Sequence, residues 1–297
     1  MSELVQQLAI VTGKIAPDLS DGGKQLATAL AEHGIESEPV MWNDPPVDWT
    51  AYDGVLFRSC WDYPDDRNRF QTLLHELEEA PVQVCNPLRV IQWNLHKRYM
   101  TALDDAGVTV PDTTVVDQGA DVSLKTLFET QSRDELVIKP AIGAMSSQVW
   151  KTATSDLAAS GSKFSEQVSD HDVLVQEFIP EIETGERSMV FFGGEYSHAW
   201  NSITTEDDIT SFEGAEADYE PTASIREQGT DVIRAACDML GMEPDDLPYA
   251  RVDYVPRDGE LVLMELELIE PCLGFERGEN TVERFTKTLL SYFETAV

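Results

Sequence analysis

The chain has 297 residues, with 55 acidic against 21 basic side chains, which gives a formal net charge of -34. A surface this negative repels nucleic acid and anionic membranes, which argues against both as partners. No apolar run approaches the roughly 20 residues that a membrane-spanning helix needs, and the N-terminus lacks a basic and apolar export signal. We therefore expect a cytoplasmic protein of two or three packed subdomains with a cleft between them.

The acidic residues are spread along the whole chain, and lysines are scarcer than arginines. This composition indicates a salt-rich cytoplasm and a halophilic archaeon as the source, because in molar salt the Debye length falls to about 3 Å and crowded carboxylates no longer repel one another. Lysines that are retained in such a sequence stand out as candidates for a specific task. Lys97 and Lys139 are two of them.

The first part of the chain alternates short apolar runs with helical patterns, which predicts a small α/β domain with a mainly parallel sheet. No G-x-G-x-x-G follows its first strand, so a dinucleotide-binding fingerprint is absent. The predicted strands cover 8–12, 38–42, 54–61 and 82–85, and the predicted helices cover 23–33 and 70–79.

A single amphipathic helix is expected over 90–106, ended by Gly107 with Pro111 beyond it. It leads into a second α/β region, with predicted strands at 113–116, 136–139, 149–152 and 174–178 and helices at roughly 122–131 and 162–169.

After Gly185 the pattern changes to hairpins. Strands at 188–192 and 195–200 flank Gly193-Gly194, a specific hairpin signal. Residues 201–221 are polar and acidic and predict a loop, and the remaining elements are a helix at 224–241, a hairpin at 249–255 and 260–267, and a helix at 281–296.

The last hairpin carries the strongest chemical signal, because Arg251 and Asp253 alternate onto one strand face, as do Glu265 and Glu267. A three-residue loop over 257–259 would bring Arg251 opposite Glu265. A two-residue Asp-Gly turn would send the two glutamates to the other side of the sheet. The functional interpretation requires the three-residue loop.

Asp253, Glu265 and Glu267 are candidate metal ligands. Carboxylates crowded onto one face repel each other unless a cation neutralises them, and Mg²⁺ prefers one or two carboxylates together with phosphate oxygens and water. In a chain this acidic, these residues taken alone favour the alternative of a solvated acidic strand face.

The hairpin motifs Arg251-Val-Asp253 and Glu265-Leu-Glu267 resemble the ATP-grasp superfamily, in which such a hairpin holds magnesium against ATP. The resemblance spans nearly the whole chain and is strongest to the branch that contains the D-cycloserine-forming ligase and to glutathione synthetase-like enzymes; it includes Arg58-Ser-Cys-Trp-Asp-Tyr63, Gly185-Glu-Arg-Ser188, Ser197-His198 and Glu265 to Pro271. It implies an α/β (α+β) ATP-grasp fold. The parts would be a Rossmann-like pre-ATP-grasp substrate domain at 1–90, a small subdomain with linker at 91–186, and a C-terminal subdomain with the metal-binding hairpin at 187–297, the last two clamping ATP.

The resemblance also implies a nucleotide site. Lys139 would contact the ATP phosphates, as would Lys97, although an exposed helical lysine is the alternative for Lys97. The implied phosphate-covering loop contains Gly143, Ser146 and Ser147; the implied adenine linker is Gln176, Glu177, Phe178 and Ile179, with Glu186 at the ribose. A plain buried strand explains Phe178 and Ile179 as well.

Substrate candidates lie at the end of the third predicted strand, where open α/β sheets expose ligand-binding residues. They are Arg58, Trp61, Asp62 and Tyr63, to which the resemblance adds Arg187 and His198. The alternatives are an aromatic turn packed on a domain interface and a structural histidine.

One segment departs from the family pattern. A basic residue soon after the Ser-His pair and a G-D-F-R-like element are expected there, but the chain reads Trp-Asn-Ser at 200–202 and Thr-Ser-Phe-Glu at 210–213. This departure puts the acyl-phosphate step or the substrate in doubt.

The activity implied is an ATP- and Mg²⁺-dependent carboxylate-amine ligase, with Mn²⁺ as an alternative ion, that forms an amide through an acyl phosphate. Arg251 and Lys139 would be the catalytic residues. The partners would be a small carboxylic acid and an amine, and a homodimer is an open option. The alternatives are a related kinase or transferase, and a nucleotide-binding regulatory protein without turnover.

Overall fold

The computed structural model describes residues 5–44, 47–203 and 216–295. Its strands are Gln7–Thr12 (β1), Glu36–Met41 (β2), Gly54–Ser59 (β3), Gln83–Cys85 (β4), Thr113–Val116 (β5), Glu135–Pro140 (β6), Trp150–Ala153 (β7), Val173–Glu177 (β8), Glu186–Phe192 (β9), Glu195–Ser202 (β10), Glu216–Asp218 (β11), Tyr249–Arg257 (β12) and Glu260–Glu267 (β13). Its α-helices are Asp21–Glu32 (α1), Arg67–Glu79 (α2), Leu88–Asn94 (α3), Tyr99–Asp105 (α4), Leu124–Gln131 (α5), Leu157–Asp170 (α6), Ala223–Leu240 (α7) and Thr281–Thr295 (α8).

The first sheet has the order β2-β1-β3-β4 and is parallel throughout, as predicted. Its central strands, β1 and β3, are apolar runs whose side chains are almost wholly buried, because helices cover both faces of the sheet. Trp61 and Tyr63 follow the carboxyl end of β3, the edge at which such sheets bind ligands.

The other two sheets are antiparallel in the pairings described. The second has the order β5-β8-β6-β7 and the third β11-β10-β9-β12-β13. Gly193 and Gly194 form the turn between β9 and β10 with φ of 56° and 74°, as the hairpin signal predicts. The expected loop over 201–221 is wrong at Glu216–Asp218, which pairs with β10 as β11; residues 204–215 lie outside the described part of the chain.

The single helix expected over 90–106 is instead two helices, α3 and α4. The break between them holds Lys97, whose backbone N–H donates to the Ala141 carbonyl at 2.7 Å rather than continuing a helical ladder. His96 contacts Asp172 across the same gap, with 3.0 Å between Nε2 and Oδ2. Contacts with the second sheet therefore outweigh the local helical pattern and turn Lys97 away from the helix axis.

The hairpin register corrects the loop expectation. Arg257 pairs with Glu260, so the turn contains two residues, Asp258 and Gly259, both with positive φ. The register then shifts between Asp253 and Tyr254, because Met264 is an extra residue that forms a β-bulge. Arg251 consequently lies opposite Glu267, not Glu265. The two-residue turn alone would place both glutamates on the face of the sheet opposite to Arg251, and the bulge moves them back to the face that carries Arg251.

Strand β13 is an edge strand whose free backbone groups are bound by side chains from α3 and α4. The Asn94 amide donates to the Leu266 carbonyl at 2.8 Å and accepts from the Leu268 N–H at 2.9 Å. The Tyr99 hydroxyl bonds the Leu266 carbonyl and N–H at 3.0 and 3.1 Å. These buried bonds fix the strand that carries Glu265 and Glu267.

Within the described residues, none of the helices combines the length and apolar content needed to cross a membrane.

Candidate active site

A cavity of about 410 Å³ lies where the three sheets meet. Most of the side chains singled out from the sequence line it, although they come from all three parts of the chain. These lining residues are Trp61, Tyr63, Lys97, Lys139, Gly143, Ser146, Ser147, Gln176, Glu177, Phe178, Ile179, Glu186, Arg251, Asp253, Glu265 and Glu267.

Two buried lysines supply positive charge to the cavity. Lys97 Nζ lies 2.7 Å from Glu265 Oε1 and donates to the Gly143 carbonyl at 2.7 Å. Lys139 Nζ lies 3.4 Å from the Met264 carbonyl on the bulge. Burial lowers the pKa of Lys139 to about 8; the negative charge of Glu265 opposes this shift and the positive charge of Lys97 adds to it. A polyanion entering the cavity would therefore meet two amines that are held at fixed positions.

Arg251 joins the two strands of the hairpin. Its Nε and Nη2 donate to Asp253 at 2.8 to 3.1 Å, and Nη2 also contacts Glu267. Its Nη1 donates to the Cys272 carbonyl at 3.1 Å. Burial lowers the pKa of Arg251, but the two carboxylates outweigh it and hold the pKa well above the ordinary value. Arg251 is a permanent cation fixed beside the carboxylates.

The carboxylates of the cavity do not share one electrostatic environment. Burial raises the pKa of Glu265, but Lys97 and Lys139 outweigh it, so that this pKa is below its ordinary value. Burial raises the pKa of Glu267 well above its ordinary value despite Arg251. Burial and the charge of Asp253 raise the pKa of Glu186 to about 8. Buried like charges at this density favour binding of an additional cation.

The expected metal ligands are close together but already hold other partners. Asp253 accepts from the Ser188 hydroxyl at 2.7 Å as well as from Arg251, and Glu265 accepts from Lys97. Among residues 5–44, 47–203 and 216–295, no group of three or more His, Cys, Asp and Glu side chains is arranged to hold a metal ion by itself. The oxygens present therefore fit an ion that takes one or two carboxylates and obtains its other ligands from phosphate and water.

The loop after β6 forms one wall of the cavity. Met145, Ser146 and Gln148 have φ between 52° and 61°, a conformation that non-glycine residues rarely adopt. Met145 is 63% exposed although it lines the cavity. The loop places the Gly143 carbonyl beside Lys97, which donates to it at 2.7 Å.

The last two residues of β8, Gln176 and Glu177, have their side chains bound to protein. The Gln176 amide donates to the Thr113 hydroxyl at 2.8 Å, and Glu177 pairs with Arg133 at 3.1 Å. Side-chain recognition of a ligand by these two residues would require those bonds to break. The arrangement instead leaves the backbone and the apolar residues Phe178 and Ile179 to face the cavity.

Four substrate candidates lie outside the residues that line the cavity. Asp62 accepts from Trp42 Nε1 at 2.9 Å and from the Lys14 N–H at 3.2 Å, which ties two loops together. Arg187 alternates to the opposite face of β9 from Glu186 and Ser188 and bonds the Thr184 hydroxyl at 3.0 Å.

The other two are buried. His198 Nε2 lies 2.8 Å from the Leu273 carbonyl and its ring stacks on Trp200, which is a structural environment. Arg58 is 5% exposed, and its Nε and Nη1 have no hydrogen-bond partner among the described residues; its guanidinium lies 5.9 Å from the ring centroids of Tyr249 and Phe275.

The structure adds lining residues to which the sequence assigned no site role. Ser188 and Glu270 stand within motifs that carry the resemblance, but neither was singled out in them. Ser188 could have been found from its alternation with Glu186 on a strand that pairs with Asp253. Glu270 follows the carboxylate strand directly before a proline, but it lies beyond the strand alternation that drew attention to Glu265 and Glu267. Other added residues are Asn94, Ile182, Trp200, Met264 and Cys272. The four cysteines are free thiols, and Cys272 is the exposed one.

Two family models match the chain. A model described as the N-terminal domain of D-cycloserine synthetase DcsG matches residues 8–86. A model described as the ATP-grasp domain of prokaryotic glutathione synthetase matches residues 99–240. The first match covers the parallel sheet, and the second begins at α4 and ends with α7.

Comparison with individual proteins agrees with the matches to the two family models. The cycloserine biosynthesis protein DcsG of Streptomyces lavendulae is 29% identical over 301 residues, which cover 95% of this chain and 97% of that protein. The crystal structure of D-cycloserine synthetase DcsG superposes with a TM-score of 0.87 at 26% identity, covering 97% of this chain and 99% of the other. D-alanine–D-alanine ligase from Bacillus anthracis, complexed with ATP, has the same fold, with a TM-score of 0.67 at 17% identity over 98% of this chain and 97% of that chain.

Proposed function

Because the chain is an ATP-grasp ligase related to D-cycloserine synthetase, we propose that it transfers the γ-phosphoryl group of ATP to a small carboxylic acid and joins that acid to a nitrogen nucleophile. The similarity to these ligases supports ATP-dependent formation of a carbon–nitrogen bond. The acyl-phosphate route and the roles of individual residues go beyond that similarity and are part of the proposal.

The observation that carries the proposal is the meeting of three cations in one cavity. Lys97, Lys139 and Arg251 come from the α3–α4 break, β6 and β12, and all line the same space. Phosphoryl transfer needs little covalent chemistry from a protein, because catalysis consists mainly of positioning and of stabilising charge on the transferred group. Fixed, desolvated cations meet that need.

The three cations would have different roles in the reaction. Lys139 and Lys97 would hold the phosphates, with backbone groups of the loop at Gly143, Ser146 and Ser147 covering them. Arg251, fixed by Asp253, would stabilise the charge that develops on the acyl group during attack. The attacking nitrogen comes from the second substrate, so no protein nucleophile is required.

We propose that Mg²⁺, with Mn²⁺ as the alternative ion, is held by one or two carboxylates from the set Asp253, Glu265 and Glu267, together with phosphate oxygens and water. Their crowding and burial, and the raised pKa of Glu267, support this assignment. When bound, the ion would neutralise charge on the phosphate oxygens. Arg251 and Lys97 would keep the remaining carboxylate charge balanced.

The nucleobase would lie against the linker, with backbone groups of Gln176, Glu177, Phe178 and Ile179 as its partners and Glu186 near the ribose. The engagement of the Gln176 and Glu177 side chains with protein supports recognition through the backbone.

The acid and amine would bind at the end of the cavity formed by Trp61 and Tyr63. Arg58, Asp62, Arg187 and His198 have positions that suit support of the walls rather than direct contact. We further propose that the enzyme works in the cytoplasm of a halophilic archaeon. A homodimer stays a prediction, which light scattering tests.

The test is release of ADP and phosphate with Mg-ATP in about 2 to 4 M KCl, where exposed like charges are screened. Amino acids and small peptides form the substrate panel. We expect a substrate-dependent rise in both products, and loss of most of that rise in Lys139→Ala.

Two other results would redirect the proposal. ADP release with a phosphorylated acid as the stable product would identify a kinase. Magnesium-dependent ATP binding without turnover on any acid would identify a regulatory protein. The second alternative is favoured by the departure at 200–202 and at 210–213, the latter outside the described residues.

A further inference from the structure

Glu270 is the buried carboxylate of the cavity that the phosphate and metal chemistry does not use. It lies three residues beyond Glu267, lines the cavity and is 6% exposed. Its backbone carbonyl accepts from Trp61 Nε1 at 2.9 Å, which holds the segment after β13 against the carboxyl end of β3. The position of Glu270 is therefore fixed from two domains.

No other side chain in the described part of the chain is seen to make a hydrogen bond or ion pair with the Glu270 carboxylate, which is bonded by its own backbone N–H. Two neighbouring cations have other partners, because Lys97 contacts Glu265 at 2.7 Å and Arg251 contacts Asp253 at 2.8 Å. The charge of Glu270 also acts on buried Arg58, but no hydrogen bond joins the two side chains. A carboxylate that is more than nine-tenths buried is costly unless a cation or donor satisfies it. A positively charged group of a ligand would supply what the protein does not.

Two aromatic residues line the same end of the cavity. Trp61 and Tyr63 follow β3, and Glu270 is the carboxylate that most affects the Tyr63 hydroxyl. A carboxylate beside aromatic rings is a favourable environment for an ammonium group, because the charge and the faces of the rings both attract it.

Lys97 links two parts of the cavity. It donates to the Gly143 carbonyl, at the loop where an anion fits. Burial raises the pKa of Glu270 to about 7, and Lys97 is the charge that most opposes this shift, so Glu270 adjoins the region of the lysines. An acyl phosphate formed near the lysines would face a nitrogen held near Glu270.

We propose that Glu270 is the specificity-determining residue that binds the amino group of the substrate, with Trp61 and Tyr63 as the walls of this subsite. The inference rests on the proposed ligase function and assigns the amine-binding end of the same cavity. It predicts that a free amine is preferred over its N-acetyl derivative, which has neither the charge nor the donors.

The experiment is calorimetry at about 3 M KCl, which screens surface charge more than buried charge, with Mg-ADP present. The probes are D-alanine and D-cycloserine, the compounds in the names of two relatives, each compared with its N-acetyl form. We expect wild type to bind at least one free amine more tightly than its N-acetyl form, and Glu270→Gln to weaken that binding about tenfold or more through loss of a charge-assisted bond. Glu279→Gln, an exposed glutamate of the same segment, is the matched control and should change nothing.

A second variant separates recognition from folding. Glu270→Asp keeps the charge and should retain the preference for the amine, even if Glu270→Gln is poorly folded. If Glu270 served only to neutralise the nearby Arg58, Glu270→Gln would lower the thermal unfolding temperature without changing the preference, and this result would overturn the inference.

Wild type that shows no preference for either free amine, including no binding of any probe, would also overturn it. These outcomes are distinct from failure of the proposed function. ATP turnover without amine preference would reject only the role of Glu270, whereas amine preference without substrate-dependent ADP release would reject only the ligase reaction.

Discussion

Lys139 is a cation placed where water is largely excluded. It is 9% exposed, and burial lowers its pKa to about 8, while Glu265 limits the shift and Lys97 increases it. Between about pH 8 and its ordinary value, the folded protein binds fewer protons at this residue than the unfolded chain does. Its contribution to stability therefore rises with pH across that window, whereas its ability to bind an anion falls.

The loss of the Lys139 charge with rising pH gives a prediction for the affinity of the protein for Mg-ATP. Because the protonated amine binds phosphate, the contribution of Lys139 to affinity should be constant below about pH 8 and should then fall by up to about tenfold per pH unit. Calorimetry from pH 7 to 9.5 on wild type and on Lys139→Met isolates this contribution, because the carboxylates that also titrate are present in both proteins. The same pH dependence of affinity in the two proteins would contradict the assignment of Lys139.

Arg251 gives a second prediction at this scale. Arg251→Met should lower kcat by about 10²- to 10³-fold, the usual loss when one fixed donor to a developing charge is removed, with a smaller effect on Mg-ATP binding. Arg234→Met, which removes an exposed arginine of α7, is the matched control. Equal turnover in the two variants would exclude a catalytic role for Arg251. Thermal unfolding of both variants separates this effect from the cost of leaving Asp253 and Glu267 without their partner.

At the scale of elements, the position of each functional strand was readable from the sequence, but its register was not. Alternation in 249–255 and 260–267 identifies the hairpin and the shared faces of its charged residues. Asp258-Gly259 is a local signal for the two-residue turn, which the sequence offered as an alternative. The compensating bulge at Met264, whose carbonyl contacts Lys139, has no such local signal. The break between α3 and α4 was missed for the same reason, because contacts distant in sequence hold Lys97 in place.

The edge of β13 provides a prediction for one element. Asn94→Ala removes two buried hydrogen bonds to the strand and should lower the free energy of unfolding by about 2 to 4 kcal/mol, since groups of the strand lose their partners. Chemical denaturation measures the change, and Asn68→Ala on the exposed face of α2 is the control. We also expect weaker Mg-ATP binding, because Glu265 and Glu267 lie on the loosened strand. A change in unfolding free energy no larger than that of the control would contradict the anchoring role.

At the scale of the whole molecule, the predicted ATP-grasp fold is confirmed, and its three sheets bring residues from distant parts of the chain into one cavity. The motifs identified nearly all of the cationic and carboxylate lining. They contain Glu270 but assigned it no role. They also did not distinguish lining residues from wall residues among Arg58, Trp61, Asp62 and Tyr63, because tertiary packing decides where adjacent residues after a strand point.

The net charge of -34 gives a prediction for the complete chain. Screening of self-repulsion should raise the thermal unfolding temperature between about 0.2 and 2 M KCl, over which the Debye length shrinks to a few ångströms. Sucrose at matched osmolarity, which does not screen charge, is the control and should give a smaller rise. An unfolding temperature that falls with KCl would contradict adaptation of this surface to salt.

If ATP activates the carboxylate as an acyl phosphate before nitrogen attacks it, one carboxylate oxygen must leave with the phosphate. The most direct test uses an acid that stimulates ADP release, prepared with ¹⁸O in its carboxylate, followed by mass spectrometry of the phosphate and the product. We expect one ¹⁸O atom to appear in each released phosphate and a carbon–nitrogen bond to appear in the product, both lost in Lys139→Ala. Phosphate without ¹⁸O, formed alongside the same product, would show that the reaction does not pass through an acyl phosphate.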